Sequence, residues 1–256
     1  MNFDDALAEL HALADPVQAI EMARYHKVDR QYLGVRVPAI DDLARGWRDK
    51  VTPDERLTLA QALWDSNIHE ARVAATKLMT QARIKDDGAA WAMMAGWVPD
   101  FDAWAIADHA CNAAAKRLVA DPARIAQVES WTTSDHMWTR RAALVITLPW
   151  TKQNFPKPLD LDIRDRVLGW AASYVPDTEW FIQKSIAWWL RELSRHDAPR
   201  VIAFLDQYGA DLKPFARAEA GRLVGWAMRP SLPEEEPDVT EPDHLANPSP
   251  TPYISE

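Results

Sequence analysis

The chain has 256 residues, 48% hydrophobic and 26% charged, which supplies one sizeable core and excludes a disordered protein. No apolar run reaches the length of a bilayer span, and the opening MNFDDALAEL lacks the basic and apolar regions of a signal peptide, so the expectation is a cytoplasmic protein with no membrane partner. A single cysteine, Cys111, excludes an intramolecular disulfide and a Cys-rich zinc site, while the formal charge of −9 argues at first against a polyanionic partner.

Glycine is scarce, at 8 residues, and apolar residues recur at three- and four-residue spacing, the pattern of successive amphipathic helices with no alternating strands. In chain order the spacing predicts helices over 3–13, 16–27, 38–49, 53–65, 68–84, 87–96, 101–119, 122–130, 135–148, 160–173, 177–195, 198–207 and 212–226. Pro38, Pro53, Pro122 and Pro199 sit where a first helical turn tolerates a missing N–H. Seven of the 18 prolines fall at or after Pro230, mixed with acids, so residues 229–256 are expected to be a disordered acidic tail after one domain of residues 1–228. The tail also changes the charge argument. Residues 231–256 hold seven acids and no Lys or Arg, leaving 29 basic against 31 acidic residues in the rest, and a nearly neutral body can still carry a basic face.

Five helical stretches look alike: EARVAATKLM, AIADHACNAA, WTRRAALVIT, FIQKSIAWWL and PFARAEAGRL. Aligning Arg72, Asp108, Arg141, Lys184 and Arg217 separates them by 36, 33, 43 and 33 residues, the period of a HEAT-like or armadillo-type helical-repeat solenoid. The fold class expected is therefore all-α, with the second helix of each pair lining a concave, mostly basic wall in which Asp108 is the one acid.

Within residues 181–195, Ile182, Ile186, Trp189 and Leu193 form the core stripe, whereas Lys184, Trp188, Arg191 and Arg195 share another face. Solvated cations around a packing tryptophan account for that face, and so does a nucleic-acid backbone or sugar. Trp104 and Asp108 likewise share a face by i, i+4 spacing. Trp138 and Arg141 lie one turn apart, with Arg140 competing as the inward residue.

These same stretches carry a resemblance. MARYHKVDRQYLGVRVP (22–38), the Trp-x-x-x-Asp of 104–108, WTRRAA (138–143) and FIQKSIAWWLRE (181–192) resemble, in order, the AlkD-like DNA alkylation repair glycosylases, over most of residues 15–226. The resemblance implies a catalytic aspartate at Asp108, sugar-contacting tryptophans at Trp104 and Trp188, an active-site arginine at Arg141 and a lesion-side tyrosine at Tyr25. It also implies double-stranded DNA bearing N3- or N7-alkylated purines as the partner, acted on without base flipping. Lys184, Arg191, Arg217, Arg72 and Arg140 are the expected contacts to the DNA backbone. Two positions depart from the family pattern: Ala105, where an acid is common, and Arg140, where a neutral residue is common.

No GxGxxG, Walker loop, HExxH or CxxC occurs, so no cofactor and no metal is expected. Ser134, Asp135 and His136 are adjacent and cannot face one another as a triad. The readings are, in order, a monomeric DNA-alkylpurine glycosylase of the nucleoid, a non-catalytic DNA-binding relative of that family, and a helical-repeat scaffold for proteins.

Overall fold

The first helix opens on a capping box, Asn2 Oδ1 accepting from Asp5 N and the Asp5 carboxylate from Asn2 N, and helices follow to the end of the described chain. The computed structural model describes residues 1–226, so the expected tail at 229–256 and residues 227–228 of the expected domain lie outside the described residues. In chain order the elements are α1 (Phe3–Ala12), α2 (Pro16–His26), α3 (Val37–Arg48), α4 (Pro53–Asp65), α5 (His69–Met79), α6 (Gly88–Gly96), α7 (Trp104–Ala120), α8 (Ile125–Ser130), α9 (Met137–Val145), α10 (Pro158–Ser173), α11 (Trp180–Leu193), α12 (Ala198–Tyr208) and α13 (Pro214–Gly221), with short 3-10 turns between. All the regular elements among the described residues are helical, and none is long and apolar enough to cross a membrane. Pro38, Pro53 and Pro199 open α3, α4 and α12 as expected; Pro122 opens a 3-10 turn ahead of the shorter α8.

Helices α3, α5, α7, α9, α11 and α13 pack side by side in that order, while α4 lies on α5, α6 on α7, α10 on α9, and α12 on α11 and α13. This is the helical-repeat arrangement that the 33–43-residue spacing predicts. Alanines make the row close-packed: Ala105, Ala107, Ala110, Ala113, Ala114 and Ala115 of α7 are all buried. On α11 the stripe Ile182, Ile186, Trp189 and Leu193 is fully buried.

Side-chain hydrogen bonds spanning about one repeat fix the register. Trp64 Nε1 donates to Asp100 (3.0 Å), Trp97 Nε1 to Gln61 (3.0 Å), Trp91 Nε1 to Gln127 (2.8 Å) and Lys77 Nζ to Asp41 (2.8 Å), each pair 36 residues apart. The indoles of Trp64 and Trp97 stack at 4.4 Å with planes 6° apart. Each thus buries an apolar face while its N–H is satisfied by the neighbouring repeat.

The two ends of the row differ. At the C-terminal ends, arginines take the leftover carbonyls: Arg48 reaches Lys77 O, buried Arg117 reaches Gln81 O and Ala82 O, Arg124 reaches Arg117 O, and Arg164 reaches Trp150 O and Gln153 O. Arg117 also explains why α5 stops at Met79 although its apolar pattern runs to residue 84, since it draws the carbonyls of Gln81 and Ala82 away from a helical course. At the N-terminal ends, α3, α5, α7, α9, α11 and α13 all lack a side-chain cap, as do α6, α8 and α12 outside the row, whereas α1, α2 and α4 have one. The row therefore presents its partial positive charge along one edge. The last helix ends early because Trp226 folds back, its amide bonding Gly221 O and its indole lying against Gly209, where an added Cβ would meet it at 2.8 Å.

Candidate active site

Asp108, Arg141 and Lys184 are each the fifth residue of α7, α9 and α11, and Arg72 and Arg217 the fourth of α5 and α13, so the aligned positions all fall near the uncapped edge. Their side chains diverge. Asp108 Oδ1 accepts from Arg141 Nη1 at 2.5 Å, with the aspartate side chain 23% exposed and the arginine 4%. Asp108 Oδ2 accepts no hydrogen bond among the described residues. The Arg141 guanidinium also lies 5.6 Å from the Trp138 ring centroid, which confirms the Trp138–Arg141 pairing, and Arg140 instead braces the preceding loop through Ser134 O and Asp135 O and pairs with Asp177 at 2.9 Å. The sequence Ser-Asp-His forms no triad: Ser134 Oγ accepts from His136 N, and His136 Nδ1 pairs with Thr139 Oγ1.

Trp104 is the first residue of α7, one turn before Asp108. Two rings from α2 hold it: Tyr25, edge-on at 6.0 Å and 87°, and His26 at 5.7 Å and 51°. Behind them His26 stacks on His69 (4.7 Å) and lies parallel to Tyr32 (5.9 Å), and Tyr32 stacks on His69 (4.9 Å). Arg30, buried, is paired with Asp102, two residues ahead of Trp104, so the segment after α2 is clasped to the start of α7 across 72 residues.

Trp188 is half-buried against the core on α11, and among the described residues no ring contact joins it to Trp104. Lys184 pairs with Glu219 at 2.6 Å and lies 5.9 Å from the Trp180 ring centroid; Arg191 pairs with the same Glu219 and with Glu192 at 3.1 Å. Arg217 is half-buried and makes no ion pair among the described residues. Arg72 departs from the expected row. It is 8% exposed, its Nε donates to Trp64 O at 3.0 Å and its guanidinium lies 4.8 Å from the Trp64 centroid, so a tryptophan of the adjacent α4 turns it inward.

His26, His69, Tyr32, Arg30 and Asp102 escape sequence reasoning because they come from three segments with no shared period. The motif YLGVRVP, by contrast, is structural. Glu70, fully buried, accepts from Leu33 N (2.9 Å) and Gly34 N (2.8 Å) and fastens this loop to α5.

Burial pushes the His69 imidazole down to about 3, with His26, Arg30 and His109 adding repulsion, and it lowers His26, where Arg30 adds the second push. Burial raises the Tyr25 and Tyr32 phenols and the Cys111 thiol. The ring stack is therefore neutral at neutral pH. Above pH 6.5 His69 is neutral folded or unfolded and has no effect on stability; below it the unfolded chain takes up the proton first, and stability falls until about pH 3. Urea unfolding is expected to show His69 costing roughly 2 kcal/mol at about pH 5 relative to pH 7.5, and His69→Phe, which keeps a ring, to remove that part of the decline.

No group of three His, Cys, Asp or Glu side chains among the described residues could hold a metal ion. Residues 6–224 match the family described as DNA alkylation repair enzyme. Among solved structures, a predicted DNA alkylation repair enzyme from Enterococcus faecalis is similar with a TM-score of 0.70 at 19% identity, over 84% of this chain and 98% of that one. AlkD2 from Streptococcus mutans has a TM-score of 0.56 at 17% identity, over 81% and 97% of the two chains, and smu.31 from Streptococcus mutans UA159 has 0.57 at 17%, over 73% and 92%. At these identities the likeness is one of fold. No curated protein matches the sequence.

Proposed function

Because the chain belongs to the DNA alkylation repair enzyme family, we propose that it is a DNA glycosylase hydrolysing the N-glycosidic bond of cationic N3- or N7-alkylated purines in double-stranded DNA. The observation that carries this reading is a carboxylate held by Arg141 at an electropositive helix edge, one turn from an indole, with its second oxygen unengaged.

An alkylated purine that carries positive charge leaves as a neutral base, so the departing group needs no proton. The glycosidic bond breaks with its electron pair going to the purine nitrogen, and positive charge builds on C1′ and the ring oxygen of the deoxyribose. Asp108 stabilises that charge electrostatically and accepts a proton from the water that attacks C1′, leaving an abasic site and the free base. Arg141 fixes Oδ1 so that Oδ2 faces the sugar. Trp104, and Trp188 from the far side, offer electron-rich rings to the same cation, and Tyr25 packs on the lesion side. No base pocket is needed if the purine stays stacked, and bulky adducts are then accepted.

Lys184, Arg191 and Arg217 serve the phosphates, the first two only by exchanging Glu219 for the ligand. Arg217 is the cation most ready for that role, and Arg217→Ala is expected to weaken duplex binding alike for all sequences and to lower the salt slope by about one, as read from fluorescence anisotropy at several salt concentrations. The reaction itself is tested by incubating the protein with methylated duplex DNA in chelator and resolving the supernatant by chromatography. Release of 7-methylguanine or 3-methyladenine is expected, and DNA binding with no released base would instead establish a non-catalytic relative.

A further inference from the structure

We infer that His26 is a positioning residue for Trp104 and Tyr25, its neutral imidazole holding the two rings in the attitude the reaction uses. The inference rests on the proposed glycosylase reading, in which Trp104 faces the sugar. Its support is geometric. His26 touches Tyr25 at 5.1 Å, Trp104 at 5.7 Å and His69 at 4.7 Å, and among the described residues it is the one ring in contact with both the rings proposed to meet DNA and the buried stack behind them. α2 has no buried residue of its own, so the attitude of Tyr25 is not set by a core face of its helix. The Arg30–Asp102 clasp closes the arrangement from below, joining the chain four residues after His26 to the chain two residues before Trp104.

Among the described residues the groups facing His26 are few. Tyr25 and Lys27 flank it on the chain, Arg30 and Tyr32 follow in the loop, His69 faces it from α5, and Trp104 with Asp102 faces it from the start of α7; Glu70 stands beyond Tyr32. None of the carboxylates among them pairs with the imidazole: Asp102 is taken by Arg30 and Glu70 by the Leu33 and Gly34 amides. His26 Nδ1 is buried and has no hydrogen-bond partner among the described residues. A proton on this ring therefore brings a second cation beside Arg30 with no counter-ion among the described residues to receive it, and burial and Arg30 accordingly push its titration below the ordinary 6.5. Protonation drives the ring out of the stack, and Trp104 and Tyr25 lose their support. The acid limb of the reaction is set by this imidazole.

The test compares wild type, His26→Phe and His26→Ala in 7-methylguanine release between about pH 7.5 and pH 5, with thermal melting of each and with spontaneous depurination subtracted. His26→Phe, which keeps a ring that cannot charge, is expected to work within about threefold of wild type at pH 7.5 and to lack the acid decline. His26→Ala is expected to lower kcat roughly tenfold or more with KM little changed, because the indole is misplaced and not removed. A wild-type kcat in His26→Ala, or a wild-type acid limb in His26→Phe, overturns the inference. Tryptophan emission supplies a readout independent of catalysis. The Trp104 share, taken as the difference from Trp104→Phe, is expected to fall as the pH drops, because the indole loses the ring packed on it and meets water, and to stay level in His26→Phe. If wild type releases no base, the proposed reaction fails and this emission difference decides the positioning role alone; an equal fall in His26→Phe then overturns it.

Discussion

Asp108→Asn is expected to reduce release of 7-methylguanine from methylated duplex DNA by at least about a hundredfold while leaving duplex affinity within a few fold, because the loss of one preorganised electrostatic partner of a developing charge costs about 10²–10³ in rate and the loss of a general base about as much again. Asparagine keeps the size of the side chain and keeps an Oδ1 that can accept from Arg141 Nη1. What disappears is the negative charge and the ability to take a proton from water. Arg141, at 4% exposure, then faces a neutral partner, so some loss of folding stability accompanies the substitution, and melting curves must be recorded beside the rates. Arg141→Ala separates the two effects. It leaves the carboxylate charge in place and frees its orientation, and it is expected to keep more residual activity than Asp108→Asn although it opens a larger void. Full activity in Asp108→Asn would remove this carboxylate from the chemistry.

Much of the arrangement around Asp108 was legible in the sequence, for a physical reason: a helical repeat writes its period into the chain. Every repeat must bury one stripe of α5, α7, α9, α11 or α13 against the next, so residues in equivalent positions recur about 33–43 residues apart, and Asp108, Arg141 and Lys184 do fall at the same helical position. What the period cannot carry is which way a long side chain turns. Arg72 holds the aligned place in α5 but is captured by Trp64, whose ring and carbonyl both receive the guanidinium. Glu70, an acid in the first turn of α5, is fully buried because its two oxygens accept from two loop amides, a contact that no helical period announces. The histidine and tyrosine stack around His26 is invisible for a related reason, being assembled from α2, the loop after it, α5 and α7 by non-repeating contacts.

Gly34→Ala is expected to be the most damaging single-methyl change in the protein. Gly34 has φ of +81°, a region a side chain enters at a cost of about 1–2 kcal/mol, and its missing Cβ would stand 2.1 Å from Asp15 O and 2.7 Å from Ala19 N. Those two atoms form the first hydrogen bond of α2, at 2.9 Å, and Asp15 N in turn donates to Leu33 O at 2.9 Å. The obstacle is backbone, which cannot rotate aside as the end of a side chain would. Relief requires moving α2 off the loop, breaking the Asp15–Leu33 bond and straining the Glu70 contacts to Leu33 N and Gly34 N. α2 buries no residue, so no core face resists its displacement, and Tyr25 and His26 leave with it. Loss of more than about 4 kcal/mol in urea unfolding is expected, or a folded protein with α2 detached and base release reduced tenfold or more. Glu70→Gln should cost less, about 1–3 kcal/mol, since one carbonyl oxygen remains to accept while the new amide group opposes an N–H. Gly46→Ala is the contrasting change: an added Cβ inside α3 meets nothing within 4 Å, and the helix should gain about 0.5–1 kcal/mol. Opposite signs for the same methyl group at positions 34 and 46 would place the damage in the contact between the loop and α2. Equal, small effects would show that α2 does not depend on the loop for its place beside Trp104.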